Sequence, residues 1–114
     1  MTPRVLIVDD SRDVRELLKV TLAGVAEIVG ECGDGGEAAA EYGRLSPDWV
    51  LMDIEMKNVD GIKATQQITN EFPEARVVIV TNYDDDILRQ AAWEAGACGY
   101  VVKENLFELY EILA

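Results

Sequence analysis

Five short apolar runs, at residues 5–9, 26–30, 49–53, 76–81 and 98–102, recur along the chain, and each is followed by a segment whose apolar residues repeat at helical spacing. That alternation predicts five β-α units. The first run, Val5, Leu6, Ile7 and Val8, carries branched apolar side chains at consecutive positions, as in a strand covered on both faces. Parallel neighbours need crossovers, and crossovers are right-handed, so the expected fold class is α/β, a doubly wound five-stranded parallel sheet with helices on both faces.

For five strands the flavodoxin-like order 2-1-3-4-5 is the leading choice, with its switch point between strands 1 and 3 and ligands at the strand C-termini. The first helix is predicted to start after Ser11, an N-cap, with Val14, Leu17, Leu18 and Leu22 as its apolar stripe. Later stripes are Ala38, Tyr42 and Leu45; Ile62, Ile68 and Phe72; and Leu88, Ala92 and Ala95. Asp34 followed by Glu37 reads as a capping box, Gly96 as a helix C-terminal cap, and the last helix is placed from about Asn105.

With 114 residues, 49% of them apolar, the chain is expected to be one domain over residues 1–114. A net charge of -12 opposes binding to nucleic acid phosphates and to anionic membrane surfaces, so neither is an expected partner of this segment. No stretch approaches the ~18 apolar residues of a membrane span, and MTPRVLIVDD lacks the layout of a secretion signal, which gives a cytoplasmic expectation. The absence of histidine removes imidazole metal sites, Ser-His-Asp and Cys-His catalysis. Cys32 and Cys98 form no CxxC pair and are expected to be buried structural thiols. With the assumed strand order they sit on opposite sheet edges, roughly 19 Å apart, too far for a disulfide.

The polar residues at the strand ends form a set. Strand 1 ends in Asp9 and Asp10, strand 3 in Asp53, strand 4 in Thr81 and strand 5 in Lys103. Singly, each has an ordinary explanation as a cap or a solvated strand end. Together they bring three carboxylates, a hydroxyl and an amine to one rim. Clustered carboxylates need a counter-ion, and a divalent cation such as Mg²⁺ takes hard oxygen ligands and recruits phosphate oxygens. Asp53, on the central strand, is then placed to attack phosphorus, while Lys103 and Thr81 contact the phosphoryl oxygens.

These residues resemble the receiver domain of two-component response regulators. The likeness runs along the whole chain: VDD after strand 1, the MD of LMDIEM, the DG of VDGIKA, the T ending VVIVT, and AGACGYVVK. The resemblance implies that Asp53 accepts a phosphoryl group from the phosphohistidine of a sensor histidine kinase. It implies that Asp9 (directly or through water), Asp10, Asp53 and the main-chain carbonyl of Glu55 hold Mg²⁺ or Mn²⁺, and that Thr81 and Lys103 contact the phosphate. It also implies a switch in which Thr81 moves towards the phosphate, Tyr100 turns inward, and the face made by the fourth helix, fifth strand and fifth helix changes, with homodimerisation through that face. EIVGECGDGGEAA and GYVVKE are most similar to receivers that precede a C-terminal, LuxR-like helix-turn-helix output domain, so control of transcription is the expected output.

Lys57 and Glu104 stand where the family often has proline. A cis bond before a non-proline residue costs about 3 kcal/mol, so the Lys103–Glu104 bond is expected to be trans. Glu55 and Tyr83, each two residues past a site residue, are expected to screen or admit attacking water. Trp93 falls on the polar side of its helix, either lying over a neighbour or anchoring a partner. Two rival functions are a receiver-like interaction module that never takes phosphate and an aspartate-nucleophile phosphohydrolase. The latter wants an aspartate where Glu55 stands. A nucleotide-binding reading lacks a glycine-rich loop after strand 1.

Overall fold

The computed structural model describes residues 2–114. Five strands, β1 (Arg4–Val8), β2 (Glu27–Cys32), β3 (Trp49–Met52), β4 (Val77–Thr81) and β5 (Gly99–Val102), alternate with five helices. These are α1 (Arg12–Thr21), α2 (Ala38–Leu45), α3 (Gly61–Glu71), α4 (Asp86–Glu94) and α5 (Glu108–Leu113). All four strand pairings are parallel and the order is β2-β1-β3-β4-β5, the doubly wound arrangement expected from the alternation.

Because successive strand residues point to opposite faces, each strand feeds two cores. Leu6, Val8, Val50, Met52, Val77 and Ile79 pack with Ala38, Tyr42, Ala64, Ile68 and Ala92 from α2, α3 and α4. Val5, Ile7, Leu51, Val78, Val80 and Val101 pack with Leu18, Leu22, Leu109 and Leu113 around α1 and α5. Both faces of the central strands are covered, which is why β1, β3 and β4 read as apolar runs, whereas the edge strand β2 carries Glu27 and Glu31. No helix of the described residues is long and apolar enough to cross a membrane.

Ser11 caps α1 as expected, its hydroxyl accepting from the Val14 amide at 3.3 Å. Gly96, at φ 104°, closes α4: its amide donates to Trp93 O and that of Ala97 to Ala92 O, the paired bonds of a Schellman motif. Among the described residues no peptide bond is cis, so Lys103–Glu104 is trans.

Several expectations are corrected. β2 spans Glu27–Cys32, longer than the apolar run 26–30 but ending at Cys32 as its placement at that sheet edge assumed, because the ladder to β1 shifts register between Val5 and Leu6 and carries pairing on to Val8. Leu17 is not in the α1 stripe but 52% exposed, since Val14, Leu18 and Leu22 already fill the inward face. Asp34 caps a 3-10 turn, Gly35–Glu37, by accepting from the Gly36 amide, and its other oxygen takes the Asn58 amide instead of completing a capping box with Glu37. Both cysteines are free; Cys32 is buried, but Cys98 is exposed ahead of the edge strand β5. A second 3-10 turn, Lys103–Asn105, follows β5, so α5 starts at Glu108 and not near Asn105. Trp93 is 66% exposed on α4, where it lines a shallow hollow with Asp86, Arg89 and Gln90.

Candidate functional site

The sheet ladder itself carries two carboxylates to the rim. The Asp9 amide continues the β1–β2 ladder by donating to Cys32 O at 3.0 Å, and the Asp53 amide continues β1–β3 by donating to Val8 O at 2.9 Å. Both side chains are therefore fixed by the backbone just past a strand end. Asp9 Oδ1 accepts from the Ser11 amide at 2.8 Å, so the residue that caps α1 also orients the first aspartate.

Carboxylate oxygens of Asp9, Asp10 and Asp53 lie within 4.8 Å of one another. Lys103 Nζ stands 3.1 Å from Asp9 Oδ2 and 3.3 Å from Asp53 Oδ1, bridging the two buried members. Thr81, 1% exposed at the end of β4, accepts from the Tyr83 amide at 3.3 Å. Asp9, Asp10, Asp53, Thr81 and Lys103, with Glu55 and Tyr83, line one cavity of about 230 Å³. Every strand-end residue singled out in the sequence meets at this point.

Tyr83 is the hub of the rim. Its hydroxyl donates to Glu55 Oε1 at 2.5 Å, which raises the Tyr83 pKa. Its carbonyl accepts from the Tyr100 hydroxyl at 2.6 Å, and the Arg89 guanidinium lies 4.5 Å from the Tyr100 ring centre while pairing with Asp84. Thus Glu55, Thr81 and Tyr100 are joined through one residue.

Two supports have no signal in strand-end patterning. Arg15 Nη1 donates to the Asp9 carbonyl at 2.7 Å while Nε pairs with Glu31 at 3.1 Å, pinning the strand end to α1 and β2. Gly61 opens α3 directly under the Asp53 carbonyl: a Cβ built there would stand 1.7 Å from that oxygen. The DG of VDGIKA marks the position, and only the approach of the two backbones explains it.

Three clustered carboxylates with two of them almost sealed, Asp9 2% and Asp53 7% exposed, form a hard-oxygen donor set that suits Mg²⁺ or Mn²⁺. Burial, reinforced by the neighbouring Asp9 charge and opposed by Lys103, pushes the Asp53 pKa up to about 6. An unfolded aspartate titrates near 3.9. Between those values the folded chain holds the extra proton, so metal-free stability falls as pH rises through the window and levels off above it. Replacing Asp53 by Asn removes that loss. Urea unfolding in chelator at pH 7 is expected to show Asp53→Asn more stable than the parent by about 1–2 kcal/mol after allowance for solvent screening, with the gap closing towards pH 4.

The response regulator receiver domain family model matches residues 5–114. The chain is 39% identical over 104 residues to the transcriptional regulatory protein LiaR of Bacillus subtilis, covering 90% of this chain and 49% of that protein. It therefore spans about half the length of the curated relatives it matches. Among solved structures, the two-component response regulator of the LuxR family from Aurantimonas sp. SI85-9A1 superposes with a TM-score of 0.91 at 34% identity, covering 99% of this chain and 86% of that one. The response regulator domain of Thermotoga maritima CheB gives 0.90 at 31% identity, covering 99% and 94%. In sequence and in fold alike, this chain belongs to the response regulator receiver domains.

Proposed function

We propose that this domain is a phosphoryl-accepting signalling switch whose acceptor is Asp53. The observation that carries the reading is the Lys103 ammonium, which lines the shared cavity 3.1 and 3.3 Å from Asp9 and Asp53. An ammonium fixed beside a carboxylate that must become anionic and then carry a phosphate is what phosphoryl transfer requires.

In the proposed reaction an Asp53 carboxylate oxygen attacks phosphorus, the bond from phosphorus to the donor imidazole nitrogen breaks, and its electron pair leaves on that nitrogen. The product is an acyl phosphate on Asp53. Lys103 already contacts the attacking side chain and meets the new phosphoryl oxygens, and the Thr81 hydroxyl donates to one of them. Asp10, Asp53, the Glu55 carbonyl and Asp9, directly or through water, would hold Mg²⁺ or Mn²⁺, which when bound neutralises charge on the transferring group. Phosphate brings about -1.5 to -2 charge into this pocket. Thr81 moving towards it disturbs the Tyr83 amide, and through the Tyr83 carbonyl the Tyr100 hydroxyl on β5. That is a direct route from the acceptor to the α4–β5–α5 face.

The domain is proposed to work in the cytoplasm, with a sensor histidine kinase as the donor and with homodimerisation through α4–β5–α5. Residues 1–114 are taken as one receiver unit controlling a C-terminal output domain that acts on transcription, a reading supported by the name of the LiaR relative. The domain is proposed to do no more enzymatic chemistry than its own phosphorylation and dephosphorylation.

Incubation with acetyl phosphate and Mg²⁺ tests the reading. One acid-stable, alkali-labile phosphate per chain is expected, and none in Asp53→Asn. Absence of modification in the parent would favour an interaction module that never takes phosphate, and sustained turnover of a small phosphate ester would favour a phosphohydrolase.

A further inference from the structure

Beside the acceptor pocket, and sharing Asp10 and Glu55 with it, lies an open groove of about 670 Å³ between the β3–α3 loop and α4. Its floor is apolar: Ile54, Met56, Ile62 and Leu88. It continues past Leu88 into a second hollow of about 490 Å³, where Ile87 is 80% exposed beside Tyr83 at 41%. Ile87 extends the apolar lining that the two hollows share, Ile54 and Leu88, into a contiguous exposed patch, the kind of surface that marks an interaction site.

The rim decides what fits. Asp10, Glu55 and Asp60 border the groove and Asp85 its extension, against one cation, Lys57. Asp60 and Asp85 each hold a helix N-terminus by accepting from the Lys63 and Leu88 amides, so their carboxylates are fixed in place. The occupant must therefore be apolar along its centre and cationic along its flanks. The sheet edges are β2 and β5, and this groove opens on neither, so an added strand finds no backbone to pair with. A helix brings its own backbone hydrogen bonds.

We propose that this groove docks a cationic amphipathic helix of a partner protein, with Ile87 and Leu88 as the central apolar contacts. The groove borders the acceptor cavity through Asp10 and Glu55, but helix docking requires no phosphate on Asp53 and stands without the phosphoacceptor reading.

The probe is a designed amphipathic helix of Leu and Lys, about 18 residues or five turns long, added to the unphosphorylated, metal-free domain in moderate salt. A Leu and Glu peptide of the same pattern is the control. Amide chemical shifts are expected to move at residues 54–62 and 83–88 with the Lys peptide and not with the Glu peptide. Ile87→Gln, a change at an exposed position that leaves the core intact, is expected to weaken binding roughly tenfold. Lys57→Glu is expected to tighten it about threefold. Shifts centred on α1 and α5 or spread over the surface, equal binding of the Glu peptide, no binding, or an unchanged affinity in Ile87→Gln would each overturn the proposal.

Discussion

Gly61→Ala is expected to destabilise the domain by roughly 3 kcal/mol or more and to cripple phosphorylation at the same time, because the methyl group would overlap backbone, not a side chain that can swing away. The added carbon would lie 1.7 Å from the Asp53 carbonyl oxygen and 2.7 Å from its carbonyl carbon. The segment cannot simply recede, since the Gly61 amide donates to Ile54 O at 2.9 Å and Asp60 anchors the same helix start. Relief comes only by moving the acceptor strand end. Gly24→Ala is the matched comparison: Gly24 has φ 80° but nothing within 4 Å of a built Cβ, so only conformational strain is at stake, about 1 kcal/mol. Urea unfolding and phosphodonor labelling on both variants check the pair. A Gly61→Ala protein as stable as Gly24→Ala would mean that the close approach under Asp53 is not a constraint.

Lys103→Ala is the second large effect. The ammonium is 14% exposed and bridges side chains that are 3% and 8% exposed, so its removal leaves two facing carboxylates with no cation between them. Two outcomes follow. In chelator at pH 7 the variant is expected to lose about 2 kcal/mol of stability, less near pH 5, where Asp53, freed of the charge that opposed its upward shift, is protonated. With Mg²⁺ the stability is expected to recover while the labelling rate from acetyl phosphate stays down on the order of 100-fold, the scale on which a positioned donor to developing charge contributes. Full-rate labelling by Lys103→Ala would remove the ammonium from the proposed reaction.

The parts of this domain that were legible in the sequence share one property: they sit where a periodic pattern stops. Asp9, Asp53, Thr81 and Lys103 each follow an apolar strand run directly, and parallel strands all present their C-termini on the same side, so the pattern that gives the sheet also gathers the site. Ser11 and Gly96 were readable for a related reason, since caps belong to helix ends. What escaped is set by contacts between segments remote in sequence. Arg15 resembles any solvated helix residue until its guanidinium is seen on the Asp9 carbonyl, and Gly61 resembles any loop glycine until α3 is laid beneath Asp53. Leu17 has the spacing of a core residue, but α1 needs only Val14, Leu18 and Leu22 to cover its share of the sheet. Cys98 adjoins apolar neighbours in sequence, yet among the described residues β5 is the edge strand and nothing pairs beyond it.

Trapping the acyl phosphate answers the central question most directly. After labelling with acetyl phosphate and Mg²⁺, borohydride reduction converts a phosphorylated aspartate to homoserine, and peptide sequencing locates it. Homoserine at position 53 alone is expected. Homoserine at position 9 or 10 with none at 53, or label without any reduced aspartate, would contradict the assignment of Asp53 as the acceptor.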